Sequence, residues 1–231
     1  MKFVTFDTET TGLAKSKLIS PDTLHLWPHI VQLSYAIYDT TLNDVLLVKD
    51  YIIKVDENVI IPEESIKFHG ITKEISQSKG VPIEIALQNF FRELKTVDKL
   101  VGHNVSFDIQ AVRVELMRLI HFNKQISNEI KTEMKFHFHY LTNYANVVCT
   151  MQESIDLCSI QALDRYGKTY NKWPRLSELH QKLFETQPNN LHNSLNDVLV
   201  TLRCFMKMAH DVDLNLECEA FKNIAQSINL F

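Results

Sequence analysis

FVTFDTETTG, residues 3–12, runs apolar and β-branched residues into two carboxylates separated by threonines, then closes on a glycine. Successive strand side chains point to opposite faces, so Asp7 and Glu9 share one face, roughly 6–7 Å apart along the backbone. Like charges held together at the end of a core strand repel each other and lose hydration, and a divalent cation resolves both costs. An isolated D-x-E also fits a turn start followed by a solvated glutamate, so the choice rests on what the rest of the chain supplies.

The chain has 231 residues, 45% hydrophobic and 23% charged, with a net charge of −4. Those values describe an ordinary globular protein able to bury a sizeable core, most simply as a single domain over 1–231. Its core would span about 1–209, with 210–231 as a tail or helix. No apolar stretch approaches the roughly 20 residues that span a bilayer, so no membrane role is expected. The sequence begins on a strand-like segment rather than a basic and apolar leader, which places the protein in the cytoplasm. Cys149, Cys158, Cys204 and Cys218 are too scattered for a zinc site or a disulfide scaffold and read as reduced thiols. The acidic balance argues against a general nucleic-acid coat but not against a nuclease whose positive charge comes from metal ions.

Strand signals come first. Residues 3–8, 30–39 (IVQLSYAIYD) and 45–55 (VLLVKDYIIKV) are rich in β-branched and aromatic residues and predict an antiparallel meander. From IEIALQNFFREL onward the apolar spacing becomes three and four, predicting helices over FDIQAVRVELMRLI, LSELHQKLF and SLNDVLVTLRCFMKM. Between them LVGH reads as a short buried strand, and VVCTMQES as a strand entering a helix. The fold class is therefore α/β, a central mixed sheet flanked by helices. The irregular stretch 121–148 reads as a surface excursion or small hairpin.

Two further acidic positions matter. Asp108, in VGHNVSFDIQ, falls in the first turn of a helix, where the dipole tolerates a carboxylate. In LHNSLNDVLV, Ser194 and Asp197 match a capping box, and His192 lies just ahead of the helix. Each has a plain structural reading. Together, Asp7, Glu9, Asp108 and Asp197 are the hard oxygen ligands that Mg²⁺ or Mn²⁺ prefers in a two-metal site, and a loop histidine beside them could deprotonate water.

Those residues, in that order, resemble the DEDDh, or DnaQ-like, 3′→5′ exonucleases of the ribonuclease H-like superfamily, which include the proofreading subunits of bacterial replicative polymerases. FDTETTG is similar to their first motif, GHNVSFD to their second and HNSLND to their third. PHIVQLSYAIYD and FHGIT at 68–72 resemble two further segments, so the likeness runs from residue 6 to 197. It implies a ribonuclease H-like fold in which Asp7, Glu9, Asp108 and Asp197 hold two divalent ions, Mg²⁺ or Mn²⁺, around the last phosphodiester of a single-stranded DNA or RNA 3′ end. His192 would take a proton from the attacking water, and nucleoside 5′-monophosphates would be released. It also implies substrate contacts from Thr8, Thr10, His69, His103, Asn104 and Phe107, although His69 and His103 fit structural histidines equally well and Phe107 fits the core. DNA proofreading or repair is the leading reading, with RNA 3′ trimming and a non-catalytic binding module as the alternatives.

Other features read plainly. His137 and His139 in KFHFHY share a face if the segment is a strand, but no third or fourth zinc ligand stands nearby. Trp27 and Trp173, each beside a proline, read as packing or loop anchors. KWPRLSELHQKLF resembles a segment of bacterial and phage family members and suggests packing against the third-motif helix. Gln226 to Phe231 resembles a short sliding-clamp-binding peptide, which would make a replicative polymerase or its clamp a partner. The plainer reading is a helix over 216–228 docking Phe221, Ile224 and Phe231 on the domain.

Overall fold

The computed structural model describes residues 1–142 and 145–231. In chain order the elements are β1 (Lys2–Thr10), β2 (Ile30–Asp39), β3 (Asp44–Ile52), α1 (Glu63–His69), α2 (Lys73–Lys79), α3 (Ile83–Leu94), β4 (Lys99–Gly102) and α4 (Val105–Phe122). There follow α5 (Asn128–Thr142), β5 (Val147–Cys149), α6 (Thr150–Glu153), α7 (Ile155–Cys158), β6 (Gln161–Leu163), β7 (Thr169–Asn171), α8 (Leu176–Phe184), α9 (Ser194–His210), α10 (Leu214–Glu217) and α11 (Glu219–Ser227).

Five strands form one sheet in the order β3-β2-β1-β4-β5. β1 and β3 both pair antiparallel with β2, while β4 runs parallel to β1 and β5 parallel to β4. This is the expected meander extended by parallel strands, and the sheet is flanked by helices as in the ribonuclease H-like class. β2 is buried along its whole length because both its faces are covered, which is why its sequence reads as a near-continuous run of large side chains.

Strand alternation divides the core into two layers. Val4 and Phe6 of β1, with Tyr35 and Ile37 of β2, pack against Leu87, Phe90 and Phe91 of α3 and Val112 and Leu116 of α4. Phe3, Ala36 and Tyr38 face the other way, onto Val198, Leu202 and Phe205 of α9, Leu179 of α8 and Phe221 of α11. Odd-numbered positions of β1 thus look toward α9, and even-numbered positions toward α4.

Three expectations change. Residues 128–142 form a helix rather than a hairpin, and residues 143–144 of that stretch lie outside the described residues. The alternation in KFHFHY imitates a strand, but the buried set Met134, His137 and Leu141 recurs at helical spacing. His137 and His139 therefore diverge. His137 is buried and stacks on Phe91 at 4.0 Å, while His139 is exposed, so they do not share an ion. The tail is two helices, α10 and α11, rather than one. It docks Phe221 and Leu230 with no exposure at all and lays Phe231 over His180 at 5.3 Å. Two apolar anchors of the clamp-type peptide, Leu230 and Phe231, are thereby engaged by the fold. Finally, Trp27 is a packing anchor as read, donating from Nε1 to the Leu18 carbonyl at 3.0 Å, but Trp173 is 62% exposed. Among the described residues, no helix is long and apolar enough to cross a membrane.

Candidate active site

Because Asp7 and Glu9 are odd-numbered, they project toward α9, where Asp197 lies on the first turn. Oxygen atoms of Asp7, Glu9 and Asp197 all lie within 4.8 Å of one another. The expected capping role of Ser194 and Asp197 is displaced by one residue. Asn193 is the N-cap, its side chain accepting from the Leu195 N–H at 3.2 Å, and Asp197 is thereby free to turn inward. Ser194 instead ties α9 to β1, its hydroxyl donating to the Asp7 carbonyl at 2.7 Å while its N–H donates to Gln32 Oε1 at 3.2 Å. Ser194 and Gln32 fix the spacing between the strand and the third acid. Sequence reading missed Gln32, since a buried glutamine in a strand carries no motif.

Asp108 approaches from the other side of the sheet. Thr8 is even-numbered, faces α4, and donates to Asp108 Oδ1 from its hydroxyl at 2.7 Å and from its N–H at 3.0 Å. Thr8, expected to contact substrate, is buried and hydrogen-bonded to this carboxylate. Asp108 lies outside the tight three-acid group yet feels the charge of Asp7. The β4–α4 turn brings it close. A Cβ at Gly102 would stand 2.7 Å from Val105 Cγ2 and 3.3 Å from the Phe6 carbonyl oxygen, so only glycine lets this turn pass so near β1.

Among the described residues, no ion pair reaches any of the four acids. Burial therefore pushes every one of them up. Asp7 rises to about 7, opposed only by its bond with Ser194, and Glu9 rises to about 8 through burial and then the charge of Asp7. Asp108 and Asp197 lie well above the ordinary range, through burial first and then their acidic neighbours. Converging hard oxygen donors with no protein cation are what a divalent ion fits.

His192 stands at the rim with φ +71°, its N–H directed at Asp197 Oδ1 at 3.3 Å. Its exposed ring meets Phe68 edge to face, centroids 5.4 Å apart. Phe68, the first residue of FHGIT, is itself 65% exposed.

The remaining expected contacts divide. His103 is a structural histidine: Nε2 donates to the Pro174 carbonyl at 3.0 Å, Nδ1 lies 3.0 Å from Thr150 Oγ1, and burial lowers it to about 4. The Thr10 hydroxyl is engaged as well, donating to the Gly12 carbonyl at 2.7 Å beyond a bulge at Glu9/Thr10. His69 Nδ1 accepts from the Ile71 N–H at 3.0 Å, whereas its buried Nε2, near the Thr10 backbone, lacks a well-formed hydrogen bond. Asn104, exposed in the left-handed conformation at the N-terminus of α4, leaves its amide uncommitted to a cap. Phe107 is half-buried and belongs to none of the apolar clusters. A separate cleft of about 1070 Å³, beside Leu24, His29 and Phe122, contains none of the four acids. Its buried Glu115 is already held by Arg118 at 2.7 Å and the Ile30 N–H at 3.1 Å.

A model of the exonuclease family matches residues 4–205, which takes in all four acids and His192. The chain belongs to this exonuclease family. The fold is similar to that of E. coli exonuclease I solved with a dT13 oligonucleotide, with a TM-score of 0.59 and 18% identity over 91% of this chain and 42% of that one. Exonuclease I from Methylocaldum szegediense is similar at a TM-score of 0.57 and 16% identity, over 93% of this chain and 42% of that one. This exonuclease-family chain spans less than half the length of those proteins. No curated protein sequence matches it.

Proposed function

We propose that this protein is a divalent-metal-dependent 3′→5′ exonuclease that removes nucleoside 5′-monophosphates from single-stranded DNA, in proofreading or repair. The observation that carries the reading is the group formed by Asp7, Glu9 and Asp197, within 4.8 Å and in no ion pair among the described residues, at whose rim His192 stands. The family membership supports the reaction, and the likeness in fold to an exonuclease solved with DNA oligonucleotides supports the substrate.

Asp7, Glu9 and Asp197 would hold the divalent ions, Mg²⁺ or Mn²⁺, with Asp108 completing the site from the α4 side. When bound, such ions acidify water and stabilise the charge that develops on the phosphate and leaving oxygen. The His192 ring takes the proton of the attacking water, a role suited to an imidazole on an exposed loop. Phe68 limits the directions that ring can adopt. Thr8 keeps Asp108 aimed, and Ser194 keeps β1 and α9 in register. His69 Nε2, the Asn104 amide and Phe107 are the groups left to meet the terminal nucleotide. The four free thiols, Cys149, Cys158, Cys204 and Cys218, favour a reducing compartment such as the cytoplasm.

The test is hydrolysis of 5′-labelled single-stranded DNA and RNA of one sequence, side by side, with and without Mn²⁺. A ladder shortening from the 3′ end, with 5′-mononucleotides as product and faster on DNA, is expected. Faster loss of RNA would make the protein an RNA-trimming enzyme. Hydrolysis of neither strand would leave a binding module.

A further inference from the structure

Between Ile160 and Pro174 the chain leaves the central sheet as a separate two-stranded ribbon, β6 paired with β7. The Lys172 N–H closes its base on the Ile160 carbonyl at 2.9 Å, and Asp164 Oδ1 shapes its turn by accepting from the N–H groups of Tyr166 and Lys168. The ribbon is well formed, yet it turns its large side chains to water. Tyr166 is 78% exposed, Trp173 62% and Tyr170 49%. Aromatics of this size usually supply much of a fold's buried area, so three on one short excursion are not explained by packing.

Their charged neighbours are mostly basic: Asp164 is the one acid between residues 160 and 175, and its carboxylate is taken up by the backbone N–H groups of Tyr166 and Lys168. RYGKTYNKWPR, residues 165–175, carries Arg165, Lys168, Lys172 and Arg175 and no acid, in a chain whose net charge is −4. Lys172 is paired with Glu178 at 2.6 Å, whereas Arg165 and Lys168 join no ion pair among the described residues. The Arg165 guanidinium lies over the Tyr166 ring at 4.7 Å, which presents a cation and an aromatic face together.

The ribbon is also rooted at the active site. Pro174, next to Trp173, is buried, and its carbonyl receives the His103 Nε2 hydrogen bond at 3.0 Å. His103 follows Gly102 at the end of β4 and precedes the helix that carries Asp108. The ribbon's base is thus hydrogen-bonded to the turn that leads into the helix carrying Asp108.

We propose that the β6–β7 ribbon is the arm that holds the single-stranded nucleic acid leading into the active site, with Tyr166, Tyr170 and Trp173 stacking on bases and Arg165 and Lys168 meeting phosphates. The proposal rests on the exonuclease reading for its substrate class. Exposed aromatics interleaved with cations are what sequence-tolerant single-strand binding uses, because every base has a stacking face and every linkage a charge.

The experiment measures fluorescence anisotropy of labelled oligothymidylate of about 12 nucleotides, within the range that single-strand sites cover, with divalent cations chelated so that no strand is cut. Trp173→Ala should weaken binding about 5- to 150-fold, the range for one lost base stack. Arg165→Gln combined with Lys168→Gln should lower the slope of log K against log salt by about 1.4, or about 0.7 for each released phosphate contact. All these side chains are exposed, so melting temperatures should stay within about 2 °C of the parent. If Trp173→Ala nonetheless unfolds, Tyr166→Ala and the salt slope still decide. Parent-like affinity and salt slope in these variants would overturn the proposal. Binding is read without hydrolysis, so failure of the parent to cut any strand would count against the exonuclease reading and not against the arm.

Discussion

Replacing Glu9 with glutamine should make the metal-free protein more stable while destroying its activity. Glu9 carries its proton up to about 8 in the fold, against 4.5 ordinarily, because burial and the Asp7 charge both disfavour its ionised form. A group that binds its proton more tightly when folded favours folding at pH below the ordinary value, and this contribution is lost as pH rises through the folded value. The metal-free protein should therefore weaken steadily between about pH 4.5 and pH 8. The full difference between those values corresponds to about 5 kcal/mol, which water and salt entering the partly exposed site reduce to roughly 1–3 kcal/mol. For a chain of this size that is about 2–12 °C in Tm. The assay is thermal melting in EDTA from pH 5 to 9, repeated with Mn²⁺. Glu9→Gln should melt higher than the parent at pH 8 with a shallower pH slope, and Mn²⁺ should stabilise the parent more at pH 8 than at pH 5, because the cation displaces protons. A Glu9→Gln protein that melts lower at pH 8, with the parental slope, would refute the reasoning and make Glu9 a structural residue.

Other expectations are more compact. His192→Ala should lower kcat by about 10² to 10⁴-fold with Mn²⁺ affinity unchanged by calorimetry; parental kcat at limiting pH would remove it from the chemistry. Thr8→Val removes the 2.7 Å hydroxyl bond to Asp108 and should reduce kcat by about tenfold or more, with Thr8→Ser retaining most of it, as measured in single-turnover cleavage. Leu230→Ala should cost about 2–4 kcal/mol in urea unfolding because Leu230 is fully buried against the α9 layer; a loss below about 0.5 kcal/mol would show the tail to be undocked and would revive a clamp-binding role.

The parts of the fold that could be read in the sequence were those where pattern and burial coincide. β2 matches its expected span because every residue from Ile30 to Asp39 is buried, and the face of α3 follows from apolar residues at helical spacing. Asp7 and Glu9 were legible as a same-face pair because strand alternation fixes it, and Asp197 through the likeness of HNSLND to a family motif. Features that depend on a distant partner were not. Nothing local announces that Thr8 holds Asp108, that Pro174 claims His103, or that Phe68 lies against His192, since these contacts join residues 100, 71 and 124 positions apart. The segment around His137 misled because its aromatic alternation has a period of two, whereas the residues that become buried recur every three or four. Trp173 misled differently. A tryptophan beside a proline resembles an anchor until its exposure is known.

The claim that Asp7, Glu9 and Asp197 form the seat of the reactive cation is tested most directly by anomalous diffraction from crystals soaked in Mn²⁺ and a nucleoside 5′-monophosphate. A manganese peak among these three carboxylates, at oxygen distances of about 2.0–2.3 Å and with the phosphate turned toward His192, is the expected result. A peak elsewhere, or none in a protein that still cuts strands in the same Mn²⁺ solution, would contradict it.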